Sequence, residues 1–273
     1  MISFCIKTNN KFDIETLPLY IGKIDLSNVV FVTKKFSKYT NIIVHYLGNN
    51  KFLFYKNFAN VLCNYILDNY EQQIINKIIS YNFFYFDSSE TDEIEKICSK
   101  SLPEDRQKKL FRNIFDYLEN YKSMVLKGFL TFRIFDYIAQ INSSIDSAVS
   151  QYVINREYSE FIELIKLYIS SEPPCVEVIH LLYSRNSSTL LDSNQKIISS
   201  CKNNLDIPYL SDISFSENDY TLNSLLNLLP KKLIIHTEKD SVDDFINTLK
   251  AIFDKRAIIL YDYSLAKSKS LHT

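Results

Sequence analysis

Two histidines, His180 and His236, carry the side chains best suited to acid–base or metal chemistry. Each follows an apolar run, VEVI before His180 and LII before His236, so each is expected near the end of a strand. Neutral imidazole ligates transition metals and titrates close to neutrality. If the two strands are neighbours in register, the rings converge, and a carboxylate such as Glu238 or Asp262 would complete a metal or acid–base site. Without convergence, both rings serve the sheet end by bonding backbone or water. Geometry separates the two cases: ring nitrogens more than about 5 Å apart cannot share one Zn²⁺, because Zn–N bonds are near 2 Å.

Arg133, Asp136 and Tyr137 form a second constellation. Arg and Asp at i,i+3 usually make a surface ion pair worth under about 1 kcal/mol. Pointing into a cleft beside Tyr137 and Tyr158, Arg133 would instead anchor an anionic ligand or a partner protein, since Arg and Tyr dominate binding hot spots. His45 sits in an alternating run with no second ligand nearby in sequence, and is expected to be a structural or surface histidine.

Composition removes several function classes. The only three glycines, Gly22, Gly48 and Gly128, cannot build a phosphate-binding loop, which needs glycine wherever backbone meets phosphate. No HExxH, nucleophile elbow or EF-hand pattern occurs, so no catalytic residue, metal ligand or cofactor is assigned and the balance leans away from an enzyme. The five cysteines are odd in number and lack CxxC spacing, as expected of reduced thiols. A net charge of −1 offers no excess of cations for a nucleic-acid backbone. The group Arg106, Lys108, Lys109, Arg112 is interleaved with acids and suits a solvated face. No run reaches the roughly 18 apolar residues of a spanning helix, and MISFCIKTNN is not a leader, so a cytoplasmic protein without membrane insertion is expected.

The elements that must position these residues follow from periodicity and punctuation. The pattern predicts an α+β fold with three parts: a small α+β unit over 1–54, a helical region over 55–171, and a C-terminal α/β unit over 172–273. In the first part, strands are predicted at Ile2–Lys7, Val29–Thr33 and Ile42–Leu47, a helix at Asp13–Ile21, and a hairpin through Gly48-Asn49-Asn50 to a strand at Phe52–Tyr55. Phe58, Leu62, Tyr65, Ile66, Ile74 and Ile78 give a long amphipathic helix, ended by Phe83–Phe86, and Asp87 caps the next one. Ser101 and Glu104 have capping-box spacing for a helix of about six turns, and Gly128 is expected to end it. Gly128–Ile169 should hold two or three helices, hinged near Asn142 and Asn155, because the stripe through Ile145 and Tyr152 is out of phase with Phe161, Ile162 and Ile165. Pro173-Pro174 stops the helix. Beyond it come a strand at Val176–Tyr183, a turn at Arg185–Ser188, an antiparallel return at Thr189–Leu191 with Lys196–Ser199, capped helices starting at Ser216 and Ser241, and a βαβ from Leu233 to Tyr261 with parallel strands.

Four stretches in order, GFLTFRIFDY from Gly128, INREYSEFIELIKLYI from Ile154, VEVIHLLYS from Val176 and LLPKKLIIH from Leu228, resemble the YtxC-like family of sporulation proteins from spore-forming Firmicutes. Arg133, Asp136, Tyr137, Glu157, Tyr158, His180 and His236 match that pattern. Thr131 stands where asparagine is usual, so no role passes to that position. The resemblance covers about the C-terminal two thirds. It implies a sporulation setting and no established enzymatic activity; binding to another protein in sporulating cells is the leading expectation for the chain.

Overall fold

The computed structural model describes residues 1–24, 26–184, 187–198 and 216–261. The chain divides into two compact units, Met1–Ile154 and the part from Asn155 onward.

The first unit opens with strand β1 (Ile2–Thr8), helix α1 (Lys11–Ile21), and the hairpin β2 (Val29–Lys35) and β3 (Thr40–Tyr46). Helices α2 (Lys51–Asn82), α3 (Ser88–Ser101) and α4 (Arg106–Asn120) follow. A short strand β4 (Ser123–Val125), helix α5 (Leu126–Phe132) and α6 (Phe135–Ser171) complete the run. The sheet order is β2-β3-β1-β4, with β4 parallel to β1 and the other pairs antiparallel. Alternation in β1 and β3 buries Phe4, Ile6, Ile42 and Val44 in one core with Phe54, Phe58 and Leu62 of α2 and Leu17 and Ile21 of α1. His45 lies on the opposite face, where its Nδ1 meets Ser3 Oγ of the paired strand at 2.8 Å.

Four expectations for this unit are corrected. Gly48-Asn49-Asn50 is not a hairpin turn. Asn50 caps α2 by accepting from the Leu53 amide, so Phe52–Tyr55 is helical. Gly48 is needed for space: a Cβ there would sit 2.3 Å from the Tyr46 ring, which stacks on Phe54 at 5.0 Å. Ser101 does not open a helix but ends α3, its hydroxyl donating to the Cys98 carbonyl, and α4 starts later without a side-chain cap. Gly128 lies inside α5, and the break comes at Arg133, the C-cap.

The fourth correction concerns α6, which runs unbroken through Asn142 and Asn155. Ser143 and Asn155 give their carbonyls to Ser147 and Ser159 hydroxyls within the helix. The apolar stripe changes phase because the helix serves two cores: Tyr137, Ile141, Ile145 and Tyr152 belong to the first, Ile162 and Ile169 to the second. A continuous helix needs no break to offer different faces along its length.

The second unit continues with β5 (Val176–Ser184), β6 (Ser187–Leu191), α7 (Glu217–Leu228), β7 (Pro230–His236), α8 (Asp244–Phe253) and β8 (Ala257–Leu260). The sheet order is β6-β5-β7-β8, with β6 antiparallel and β5, β7 and β8 parallel, as a hairpin followed by βαβ requires. Ile179, Leu181, Tyr183, Leu233 and Ile235 bury one sheet face with Leu225, Ile246, Leu249 and Phe253. Ser216 and Asp219 form the expected capping box, whereas α8 is capped by Asp243 and not Ser241. Ile197 makes a single bridge to Leu191. The expected turn at Arg185 and the far end of the return at Ser199 lie outside the described residues.

Candidate paired-histidine site

Strands β5 and β7 run parallel with His180 opposite Ile234 and Leu182 opposite His236. Paired residues share a face and the side-chain period is two, so both histidines project from one side of the sheet, one step apart. The rings meet directly. His180 Nδ1 lies 2.9 Å from His236 Nε2, and the ring planes are 23° apart with centroids at 5.2 Å. His236 ends β7, as expected, whereas His180 stands in the middle of the longer β5, because β5 continues to Ser184 to pair with β6.

Burial is unequal. His236 is 4% exposed and its Nδ1 has no hydrogen-bond partner among the described residues, while His180 is half-buried. The His180 pKa is held below its ordinary value, first by burial and then by the His236 ring and Lys232. The contact needs one N–H and one lone pair, so one ring donates to the other, and the tautomer decides whether His236 Nδ1 is left as a donor or an acceptor. This arrangement suits proton transfer or hydrogen bonding to a polar ligand. It does not suit a shared tetrahedral Zn²⁺ as it stands, since Zn–N bonds near 2 Å place ligand nitrogens about 3.3 Å apart with both lone pairs aimed at the ion. Among the described residues no group of three or more His, Cys, Asp or Glu is placed to hold a metal ion. Asp262 lies outside the described residues.

The pair carries a pH signature. As pH falls through about 6.5, the unfolded chain gains a proton at position 180 that the folded chain accepts only at lower pH, so this contribution is complete above that value and is lost below it. Urea unfolding at about pH 7.5 and pH 5.5 should show a larger acid loss for wild type than for His180→Leu.

The other candidates are placed apart. Tyr137 is fully buried in the first unit and donates to Glu71 Oε2 at 2.7 Å, so it belongs to no surface. Arg133 is exposed at the end of α5, with its guanidinium 5.7 Å from the centre of the Tyr121 ring. Tyr121 stacks in turn on Tyr117 at 4.4 Å. Asp136 is exposed in the first turn of α6. Tyr158 belongs to the second unit, where its hydroxyl meets Thr248 Oγ1 of α8 at 2.7 Å.

Two polar clusters escape the motif search. Asp13 is 2% exposed and accepts from Thr8 Oγ1 at 2.6 Å, Tyr65 at 2.7 Å and Tyr70. Glu71 takes a two-pronged bond from Arg106, at 2.8 and 3.2 Å, besides the one from Tyr137. One signal for Asp13 is present in the sequence: it lies four and eight residues before Leu17 and Ile21, on the stripe that becomes buried.

Fold and site together define an α+β protein in two units, the second carrying a paired-histidine site on a mainly parallel sheet. The chain belongs to the YtxC-like family, whose model matches residues 56–258. It is 21% identical over 135 residues to the uncharacterized protein YtxC of Bacillus subtilis (strain 168), covering 50% of this chain and 47% of that relative. The chain thus spans about half the length of the curated relative it matches. No solved structure matches it.

Proposed function

We propose that the protein acts in the cytoplasm of sporulating cells by binding another protein, with Arg133 at the centre of the contact. The observation that supports this reading is local. Arg133 covers the exposed ring of Tyr121 and is flanked in the chain by Phe132 and Phe135, which are 64% and 68% exposed. Exposed Arg and aromatic side chains in one place are what binding hot spots are made of, and water gains nothing from solvating two large rings. Beneath the Tyr121 stack, Tyr117 of α4 packs edge-on against Phe129 of α5 at 5.1 Å. Arg133→Ala should weaken partner binding by about tenfold or more, the cost of losing one hot-spot residue, while leaving stability nearly unchanged. The measurement is affinity capture from sporulating cells with wild type and Arg133→Ala side by side. A partner set that does not respond to the substitution, together with turnover of a small molecule by the purified protein, would overturn the reading.

A ligand-binding or catalytic role for the second unit is the competing reading. It is favoured by the 2.9 Å contact of His180 with His236 and the unpartnered, buried Nδ1 beyond it. His236→Gln should then abolish ligand binding with Arg133 intact, which separates the two roles.

A further inference from the structure

From the geometry of the first sheet we infer that strand β2 is a self-association edge, at which two copies of this chain join antiparallel into one eight-stranded sheet. The inference goes beyond the Arg133 reading and uses other residues. It concerns a part of the chain that precedes the family match at residue 56.

Strand β2 ends the sheet order, so only one of its edges is paired among the described strands. The hydrogen bonds from the Phe36 amide to the Tyr39 carbonyl and from the Leu47 amide to the Asn28 carbonyl set the phase of the hairpin. Even-numbered residues of β2 therefore bond β3, and Val29, Phe31, Thr33 and Lys35 turn their amides and carbonyls outward. Such a row of free groups is a template for another strand, which proteins normally blunt with lysine or other charge, proline, a bulge or brevity. β2 has none of these along Val29–Thr33. It is seven residues long, pairs with β3 without a bulge from Val29 to Lys35, and exposes Val30, Phe31 and Val32 at 50%, 37% and 42%. The other edge of the sheet is β4, only three residues long and followed at once by α5.

Charge selects the direction in which a second copy fits. The strand's own ions are Lys34 and Lys35, at one end of an apolar stretch. Parallel pairing with a second copy stacks Lys34 on Lys34 and Lys35 on Lys35, which like charges oppose. Antiparallel pairing about Val32 sets Lys34 against Val30 of the second copy, Lys35 against Val29 and Phe31 against Thr33. Every lysine then faces an aliphatic side chain, over which its methylenes can lie. The outward groups form about eight backbone hydrogen bonds across this register. The two-fold axis makes the contact close on itself as a dimer, leaving no free β2 edge for a third copy.

At the axis Val32 meets Val32 in a non-hydrogen-bonded pair with Cα atoms about 4.5 Å apart, within reach of a disulfide. Sedimentation equilibrium of the full chain at tens of micromolar should give a dimer. Val32→Lys, on an exposed site that tolerates the change, should weaken dimerisation about tenfold or more by placing two ammonium groups opposite each other, with an unchanged circular dichroism spectrum. Val32→Cys should give a disulfide-linked dimer on mild oxidation that wild type, with its own cysteines, does not. A monomeric wild type with no cross-link through Val32→Cys overturns the inference, as does a monomer that captures an added extended peptide at this edge. Arg133→Ala should leave the dimer intact, so failure of the partner-binding reading and failure of this one are told apart.

Discussion

Asp13→Ala should destabilise the first unit by about 4 kcal/mol, the largest single effect expected in this protein. The carboxylate is 2% exposed and survives burial because Thr8, Tyr65 and Tyr70 all donate to it. Alanine removes three charge-assisted bonds and leaves three hydroxyls facing a gap, each worth about 1–3 kcal/mol when orphaned, with some relief from local relaxation. The residue also ties three elements together, since its partners lie on β1 and α2 while it sits in α1. Asp13→Asn should lose less, because it keeps one acceptor oxygen and the same shape. Urea unfolding followed by far-UV circular dichroism measures both, and equal losses for Ala and Asn would show that charge, not hydrogen bonding, dominates. The same cluster sets alkaline behaviour. Tyr65 and Tyr70 are raised above the ordinary 10.0, first by burial and then by donating to Asp13. Above about pH 10 the unfolded chain releases phenolic protons that the folded chain retains, so stability falls as pH rises past that point.

Glu71→Leu should cost about 3 kcal/mol, because it strands a positive charge and a buried phenol together. Arg106 holds Glu71 through Nε at 2.8 Å and Nη2 at 3.2 Å, and the side chains are only 26% and 13% exposed. Tyr137, fully buried, adds its hydroxyl to the same carboxylate. These bonds raise the Arg106 pKa, the hydrogen bond to Glu71 being the first cause; a guanidinium keeps its proton near neutrality even without them, so in the variant it stays charged and loses its carboxylate partner. Removing both ions in Glu71→Leu/Arg106→Leu should recover much of the loss, since a buried pair is often worth no more than apolar packing of like volume. A double variant as unstable as Glu71→Leu would instead place the cost in Tyr137. Two thiols report on the same region: burial and then Glu71 push Cys63 up to about 12, and burial and then Glu71 push Cys98 up to about 11. Both should resist alkylation in the folded wild type, and a faster rate at Cys63 in Glu71→Leu would register loosened packing.

The two clusters show why motif reading missed them. Asp13 and Glu71 both sit in helices; Asp13 shares the stripe of Leu17 and Ile21, but no local pattern says what will bond either carboxylate until partners from distant positions arrive. Tyr137 and Arg133 stand close in sequence within one constellation, which suggests a shared site. The helix period separates them, turning Tyr137 into the core and leaving Arg133 at a cap. The hairpin expected after Gly48 fails for a related reason. A Gly-Asn-Asn run serves a turn or a helix cap equally well, and the choice was made by Tyr46 stacking on Phe54.

The sequence by itself determined what depends on near neighbours: the long stripe of α2, the Asp87 and Ser216 capping boxes, the double-proline stop after α6, and the apolar runs of β5, β7 and β8. These rest on periods of two and 3.6 residues and on side chains bonding amides three residues away, which any short window displays. Only the tertiary structure decided that His180 and His236 touch, that α6 is continuous over Phe135–Ser171, and that β2 has one edge unpaired among the described strands. Each depends on register and neighbours set by pairings far apart in the chain, where a slip of one residue would turn every side chain to the opposite face.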